Sequence, residues 1–249
     1  MLYYKYQKFI KKLNYYYYNF LILKMESVDI TLVLDRSGSM ETMKNALLDG
    51  SNEFIEYQKK TAEENNKKTN LTLVTFDDKV DIIFNEEDIK NARKLEYSDI
   101  CPRGVTRLID TAVEQINDQK SRVEKNINEG KYKSCKKIFA LLTDGCDNMS
   151  LKYKEKDLHI LIKEAREKDT LCIFLGANQD AIASGNTFGF SANHSMEYGA
   201  NETDAGNAMR CLSQEISCEA SGVKSEGFSN IQRQASNTIN TNLKRPRIE

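Results

Sequence analysis

The chain has 249 residues, 40% hydrophobic and 29% charged, with 2 Pro and 12 Gly, which excludes fibrous and low-complexity classes and describes an ordinary globular domain. A net charge of -1 argues against a general nucleic-acid binder, which carries a basic face. Six Cys without any Cys-x-x-Cys spacing and only 2 His argue against a zinc site and fit a reducing, intracellular compartment.

Residues 1–24 hold Lys5, Lys8, Lys11, Lys12 and Lys24, no acid, many Tyr, and a short apolar end, Phe20-Leu21-Ile22-Leu23. A signal peptide needs a longer apolar centre, and a membrane span needs roughly 20 apolar residues. The segment is expected to be disordered or untranslated, with the domain beginning at Met25. A basic-aromatic membrane-surface anchor is the alternative.

Val28-Asp29-Ile30-Thr31-Leu32-Val33-Leu34 predicts a buried strand. It switches abruptly to Asp35-Arg36-Ser37-Gly38-Ser39, so one carboxylate and two hydroxyls sit at the strand's carboxyl end, where open α/β sheets bind ligands. All three offer hard oxygens, suited to a cation such as Mg²⁺. Met43, Ala46, Leu47, Gly50, Phe54 and Tyr57 then recur at helical spacing, predicting a helix over about 41 to 64.

Leu71-Thr72-Leu73-Val74-Thr75-Phe76 predicts a second strand, and Asp77-Asp78-Lys79 a tight connection to an antiparallel edge strand, Val80-Asp81-Ile82-Ile83-Phe84. Residues 85–105 are charged and irregular. Thr106, an N-cap by residue type, opens a helix with the apolar face Ile109, Ala112, Val113 and Ile116.

Lys137-Ile138-Phe139-Ala140-Leu141-Leu142 is apolar on both faces and predicts a central strand, ending in Thr143-Asp144-Gly145-Cys146-Asp147-Asn148. A helix through Leu158, Leu161, Ile162 and Ala165 follows, then a strand at 171–175 containing Cys172, a short helix near 179–185, a last strand near 192–197, and a helix carrying Ala205, Ala208, Met209, Leu212 and Ile216. Cys211 and Cys218 lie two helical turns apart, about 10 Å, too far for a disulfide. The domain is expected to span 25–220. The Ser-, Asn- and Gln-rich remainder, 221–249, is expected to be a disordered tail whose Lys244-Arg245-Pro246-Arg247 is a solvated basic patch or a nuclear-localisation signal.

Alternating strands and helices predict an α/β, Rossmann-like doubly wound sheet, mostly parallel with one antiparallel edge strand and helices on both faces. That architecture brings Asp35, Ser37 and Ser39, Thr106, and Asp144 to one sheet edge. The combination Asp35-x-Ser37-x-Ser39, Gly104-Val105-Thr106-Arg107-Leu108 and Leu142-Thr143-Asp144-Gly145, in this order over about 28 to 217, resembles the von Willebrand factor A domain with its metal-ion-dependent adhesion site. The resemblance implies a metal held directly by Ser37 and Ser39, by Thr106 and Asp144 directly or through water, and by Asp35 mainly through water. It implies Mg²⁺, with Mn²⁺ or Ca²⁺ as substitutes, and a protein partner that presents an Asp or Glu to complete the coordination.

Met40-Glu41-Thr42-Met43-Lys44 lacks the Asp pair that builds an adjacent calcium site in the integrin type, so a single metal is expected. Without a signal peptide or membrane span, the chain looks like the intracellular members of the family, and Phe174-Leu175-Gly176-Ala177-Asn178-Gln179-Asp180 resembles stand-alone bacterial, phage and viral versions. The reading is a non-enzymatic binding module. One alternative is a Mg²⁺-dependent phosphoryl-transfer or hydrolytic enzyme using Asp35. Dehalogenase-type phosphatases follow such an Asp with a second two residues on, and here that position is Ser37; His159 and His194 have no partner assignable by spacing. The other alternative is a structural or assembly protein of a virus or phage.

Overall fold

A computed structural model describes residues 26–177 and 180–238; the expected N-terminal extension and the last residues of the tail lie outside these. Six strands, β1 (Glu26–Asp35), β2 (Lys68–Phe76), β3 (Val80–Asp88), β4 (Ser134–Thr143), β5 (Thr170–Ala177) and β6 (Ser195–Tyr198), form one sheet in the order β3-β2-β1-β4-β5-β6. All neighbours are parallel except β2 and β3, which pair antiparallel at the edge as the short Asp77-Asp78-Lys79 connection predicts.

The helices are α1 (Lys44–Glu64), α2 (Leu108–Asn128), α3 (Glu155–Glu167), α4 (Ala181–Thr187), α5 (Glu202–Ser221) and α6 (Asn230–Ala235), with a 3₁₀ turn over Gly38–Met43 and a single helical turn at Tyr97–Ile100. Strand pleating divides the apolar side chains between two layers. Ile30, Leu32 and Leu34 of β1 pack with Leu47 and Phe54 of α1 and Ala208 and Leu212 of α5. Val33 packs on the opposite face with Val113 of α2, Leu158 of α3 and Ala181 of α4. Among the described residues, no helix is long and apolar enough to cross a membrane.

Two expectations are corrected. Thr106 is not the N-cap of α2. Arg107 occupies that position without a side-chain cap, because a distant loop supplies the acceptors: Ile109 N donates to Asp147 Oδ1 at 3.2 Å and Asp110 N to Ser150 Oγ at 2.9 Å. The Thr106 side chain is thereby released from a capping role.

Nor is the segment after 221 a disordered tail as far as residue 238. It returns across β6: Phe228 is buried in the core with α5 and β6 side chains, and Ser229 caps α6 by accepting from Gln232 N at 3.3 Å. Arg233 donates to the carbonyls of Ser195 at 2.6 Å and of Ala192 and Asn193 at 3.0 Å each. One aromatic anchor and one guanidinium bridging three carbonyls offset a polar composition that suggests too little to bury.

Candidate metal centre

β1 and β4 lie side by side at the middle of the sheet, and their following helices pack on opposite faces. Their carboxyl ends therefore flank the point where the strand order reverses, the crevice in which such sheets bind ligands. Asp35 ends β1 and Thr143 ends β4.

Asp35 is 1% exposed, and both its oxygens are engaged: Oδ1 accepts from Ser37 N at 2.7 Å and Oδ2 from Thr143 Oγ1 at 2.6 Å. Burial pushes its carboxyl up to about 6, against the hydrogen bonds from Thr143 and Ser37; the nearby Asp144 charge acts in the same direction as burial. Burial also raises Asp144, opposed by hydrogen bonds from Ser39 and Ser37.

Ser37 Oγ and Ser39 Oγ lie 3.1 Å apart, and Ser39 Oγ donates to Asp144 Oδ1 at 2.7 Å. Four of the predicted residues thus form one hydrogen-bonded row. Thr106 joins them across Gly145: a Cβ built on that glycine would stand 3.6 Å from Thr106 Oγ1 and 4.0 Å from Ser39 Oγ. Gly145 therefore lies between the Thr106 and Ser39 hydroxyls.

Sequence reading missed the residues that hold these donors in place. Thr143, which the motif spacing gives no role, holds Asp35 Oδ2 and the Gly145 turn. Arg36, inside the Asp-x-Ser-x-Ser turn, is 2% exposed and donates to Asp77 Oδ2 at 3.2 Å and Asp81 Oδ2 at 2.5 Å. Arg103, just before the Thr106 loop, reaches the same two carboxylates at 2.6 Å and 3.2 Å. The Asp77 carboxylate is buried, which alone would raise it, yet bonds from Arg103 and Lys79 N and the Arg36 charge hold it below the usual range.

Backbone bonds complete the clamp, from Arg103 N to Arg36 O at 2.9 Å, Gly38 N to Gly104 O at 3.3 Å and Arg107 N to Asp77 O at 3.0 Å. Gly104 has φ +68, and a Cβ there would meet Asp78 Oδ1 at 2.7 Å, so the left-handed backbone favours glycine and a side chain would displace Asp78. The one sequence signal was an arginine placed where only a turn was needed.

The loop after β4 is fastened to α2. Thr106 N donates to Asn148 Oδ1 at 2.9 Å, and Thr106 O accepts from Asn148 N at 3.0 Å and Met149 N at 3.1 Å. The Asp110 carboxylate, 2% exposed, accepts from the backbone of Leu151, Lys152 and Tyr153 at 3.1, 3.1 and 2.8 Å.

His159 and His194 are not part of the site. His159 Nδ1 contacts Thr187 O at 3.1 Å, and His194 lies between Ser191 Oγ at 2.9 Å and Ser225 Oγ at 3.0 Å. Among the described residues no group of three or more His, Cys, Asp or Glu could hold a metal, so a cation here depends on hydroxyl oxygens as well as the two carboxylates. The donor set fits that demand: closely spaced hard oxygens from hydroxyls and carboxylates suit Mg²⁺ and its relatives.

The family model of the von Willebrand factor type A domain matches residues 29–214, and the chain belongs to that family. Among solved structures, proximal thread matrix protein 1 from the mussel byssus aligns at 15% identity and TM-score 0.51, over 80% of this chain and 47% of that one. The same protein with a zinc-occupied metal-ion-dependent adhesion motif aligns at 17% identity and TM-score 0.52, over 79% and 47%. The pilus adhesin SpaC of Lactobacillus rhamnosus GG aligns at 16% identity and TM-score 0.57, over 79% and 30%. These likenesses bear out the six-stranded fold, and the chain spans about half or less of the length of these proteins. No match was found among curated protein sequences.

Proposed function

We propose that this domain is a metal-dependent protein-binding module that captures an acidic side chain of a partner through Mg²⁺ held by Asp35, Ser37, Ser39, Thr106 and Asp144. The observation that carries this reading is the Ser37–Ser39–Asp144 row of oxygens spaced 3.1 and 2.7 Å apart, with Thr106 Oγ1 beside the bare face of Gly145. A bound Mg²⁺ supplies a Lewis-acidic centre able to take an outside carboxylate.

The protein's own contribution is placement. Three neutral hydroxyls and two carboxylates leave the ion short of negative charge, and the Asp77 clamp and the Asp110 nest hold the two flanking loops. A rigid site loses little conformational entropy when a partner arrives. The zinc-occupied motif in the mussel matrix protein supports a divalent ion in this fold, and adhesins and matrix proteins among the neighbours support binding rather than turnover. Asp35 is buried with both oxygens engaged, which disfavours its use as a nucleophile.

The test is calorimetric titration of the full chain with MgCl₂. Ser39 is exposed, so Ser39→Ala should leave the circular dichroism spectrum unchanged while Mg²⁺ affinity falls at least tenfold; Asp144→Asn should lose more. Unchanged affinity in both variants would sink the assignment. Proteins retained in Mg²⁺ and released by EDTA then identify the partner.

A further inference from the structure

α1 and α5 lie side by side on one face of the sheet, joined by Gln58 Nε2 donating to Ser217 Oγ at 3.0 Å and Asn65 Nδ2 to Ser221 Oγ at 3.1 Å. Between them the surface opens into a groove of about 450 Å³ with a mainly apolar lining, supplied by Phe54 and Tyr57 of α1 and Met209 of α5. Tyr57 is 47% exposed there. The charges around it are already balanced: Glu53 pairs with Arg210 at 3.5 Å, Glu56 with Lys59 at 3.0 Å and Glu64 with Lys60 at 3.8 Å. What this surface lacks is apolar cover.

The described chain begins at Glu26, beside the ends of the same two helices. Lys67, which follows α1, lies 3.9 Å from the Glu26 carboxylate and donates to Ala220 O, near the end of α5, at 3.1 Å. Tyr15-Tyr16-Tyr17-Tyr18 precedes Glu26 by eight residues, about 26 Å of extended chain. The path to Tyr57 is shorter, about 10 Å along the last turns of α1 and about 10–12 Å around a helix.

A tether of this length holds the tyrosines near the groove at an effective concentration in the millimolar range, which a second copy or a separate partner does not match. Tyrosine also fits the surface chemically, since its ring is apolar and its tip polar, as an apolar floor between charged rims requires.

We propose that Tyr15 to Tyr18 cover the α1–α5 groove of their own chain, with rings against Phe54, Tyr57 and Met209, so that the N-terminal segment is a strap on the domain rather than a membrane-surface anchor.

The test is photo-cross-linking of the purified full chain with benzoylphenylalanine in place of Tyr57 or, separately, of Gln214 on the facing helix. Both positions are exposed, so the fold tolerates either replacement. The same residue in place of Ile231, 79% exposed on α6, is the control. The expected product is an adduct within one chain, mapped by mass spectrometry to residues 13–20, from positions 57 and 214 but not from 231. Its yield should fall at least tenfold when Tyr15, Tyr16, Tyr17 and Tyr18 are all changed to Ser.

An adduct between two chains means that a second copy fills the groove. No adduct from either position, or one undiminished in the serine variant, means that the tyrosine stretch does not cover it. Each of these results overturns the proposal.

Discussion

Thr143 Oγ1 donates to Asp35 Oδ2 at 2.6 Å, joining the last residue of β4 to the last residue of β1 behind the candidate ligands. The same hydroxyl accepts from Gly145 N at 3.2 Å, so it also shapes the turn that passes beside Thr106 and Ser39. Tyr198, fully buried on β6, donates to Thr143 O at 3.3 Å and secures this strand end from the other side.

Thr143→Val keeps the β-branched shape but removes the donor, leaving a buried Asp35 oxygen without that partner. The expected cost is about 1–3 kcal/mol of stability, together with a several-fold loss of Mg²⁺ affinity as Asp35 and the 145 turn lose their common anchor. Thr143→Ser should restore both. Thermal melts and calorimetry on the two variants check this, and a Val variant with native metal affinity would show that Thr143 has no positioning role.

Asp77 makes a second case. Its carboxylate is fully buried between Arg36 and Arg103, and removing one member of a buried pair leaves the other uncompensated. Asp77→Asn should destabilise the domain by about 3 kcal/mol. It should also loosen the Thr106 loop, since Arg103 then keeps only the half-exposed Asp81. Hydrogen exchange of residues 103–107 is the discriminating measurement: faster exchange there than in β1 and β4 is expected, and uniform acceleration would mean only global destabilisation.

The fold was legible because each strand announces itself locally. Leu71 to Phe76 and Ile138 to Leu142 are buried throughout, as their β-branched and aliphatic runs predict, and short polar turns or amphipathic helices separate the strands. Asp35, Ser37, Ser39 and Asp144 were legible because the motif writes donors beside strand ends. Thr143, Asp77 and Asp110 were not, because their work is done by partners 108, 41 and about 40 positions away, and spacing carries no sign of such pairings. Of the two roles its residue type suggests for Thr106, ligand and N-cap, the cap role fails for the same reason: the loop after β4, remote in sequence, caps α2 instead. Composition predicts disorder after Ser221 because it averages over residues, whereas Phe228 and Arg233 act singly.

Asp110 predicts a pH dependence. Burial alone would raise its carboxyl, but the backbone amides of Tyr153, Leu151 and Lys152, with Arg107, hold it below the ordinary 3.8. A folded-state value below the unfolded one means that the ionised form stabilises the fold. That contribution is fully present above the unfolded value and is lost as pH falls through the folded one. Asp110→Asn should therefore cost about 2 kcal/mol at pH 7, with the gap from the parent chain steady down to about pH 5 and closing below about pH 4. Urea midpoints at pH 7, 5, 4 and 3 measure it; a gap that stays constant to pH 3 contradicts the assigned role.

The chain after Ser221 offers the last test, because it separates one buried anchor from the polar sequence around it. Phe228 is 6% exposed and its backbone N donates to Asn193 O at 2.9 Å, while Ile231 on α6 is 79% exposed. Phe228→Ala should cost about 3 kcal/mol and lower the melting temperature by about 6–12 °C, whereas Ile231→Ala should stay within about 0.5 kcal/mol. In the Phe228 variant, Arg233 loses the ring beside it as it approaches the carbonyls of Ala192, Asn193 and Ser195, so proteolysis should cut between 222 and 229 before any other region. A Phe228→Ala protein as stable and as protease-resistant as its parent would show that this segment rests on the domain without supporting it.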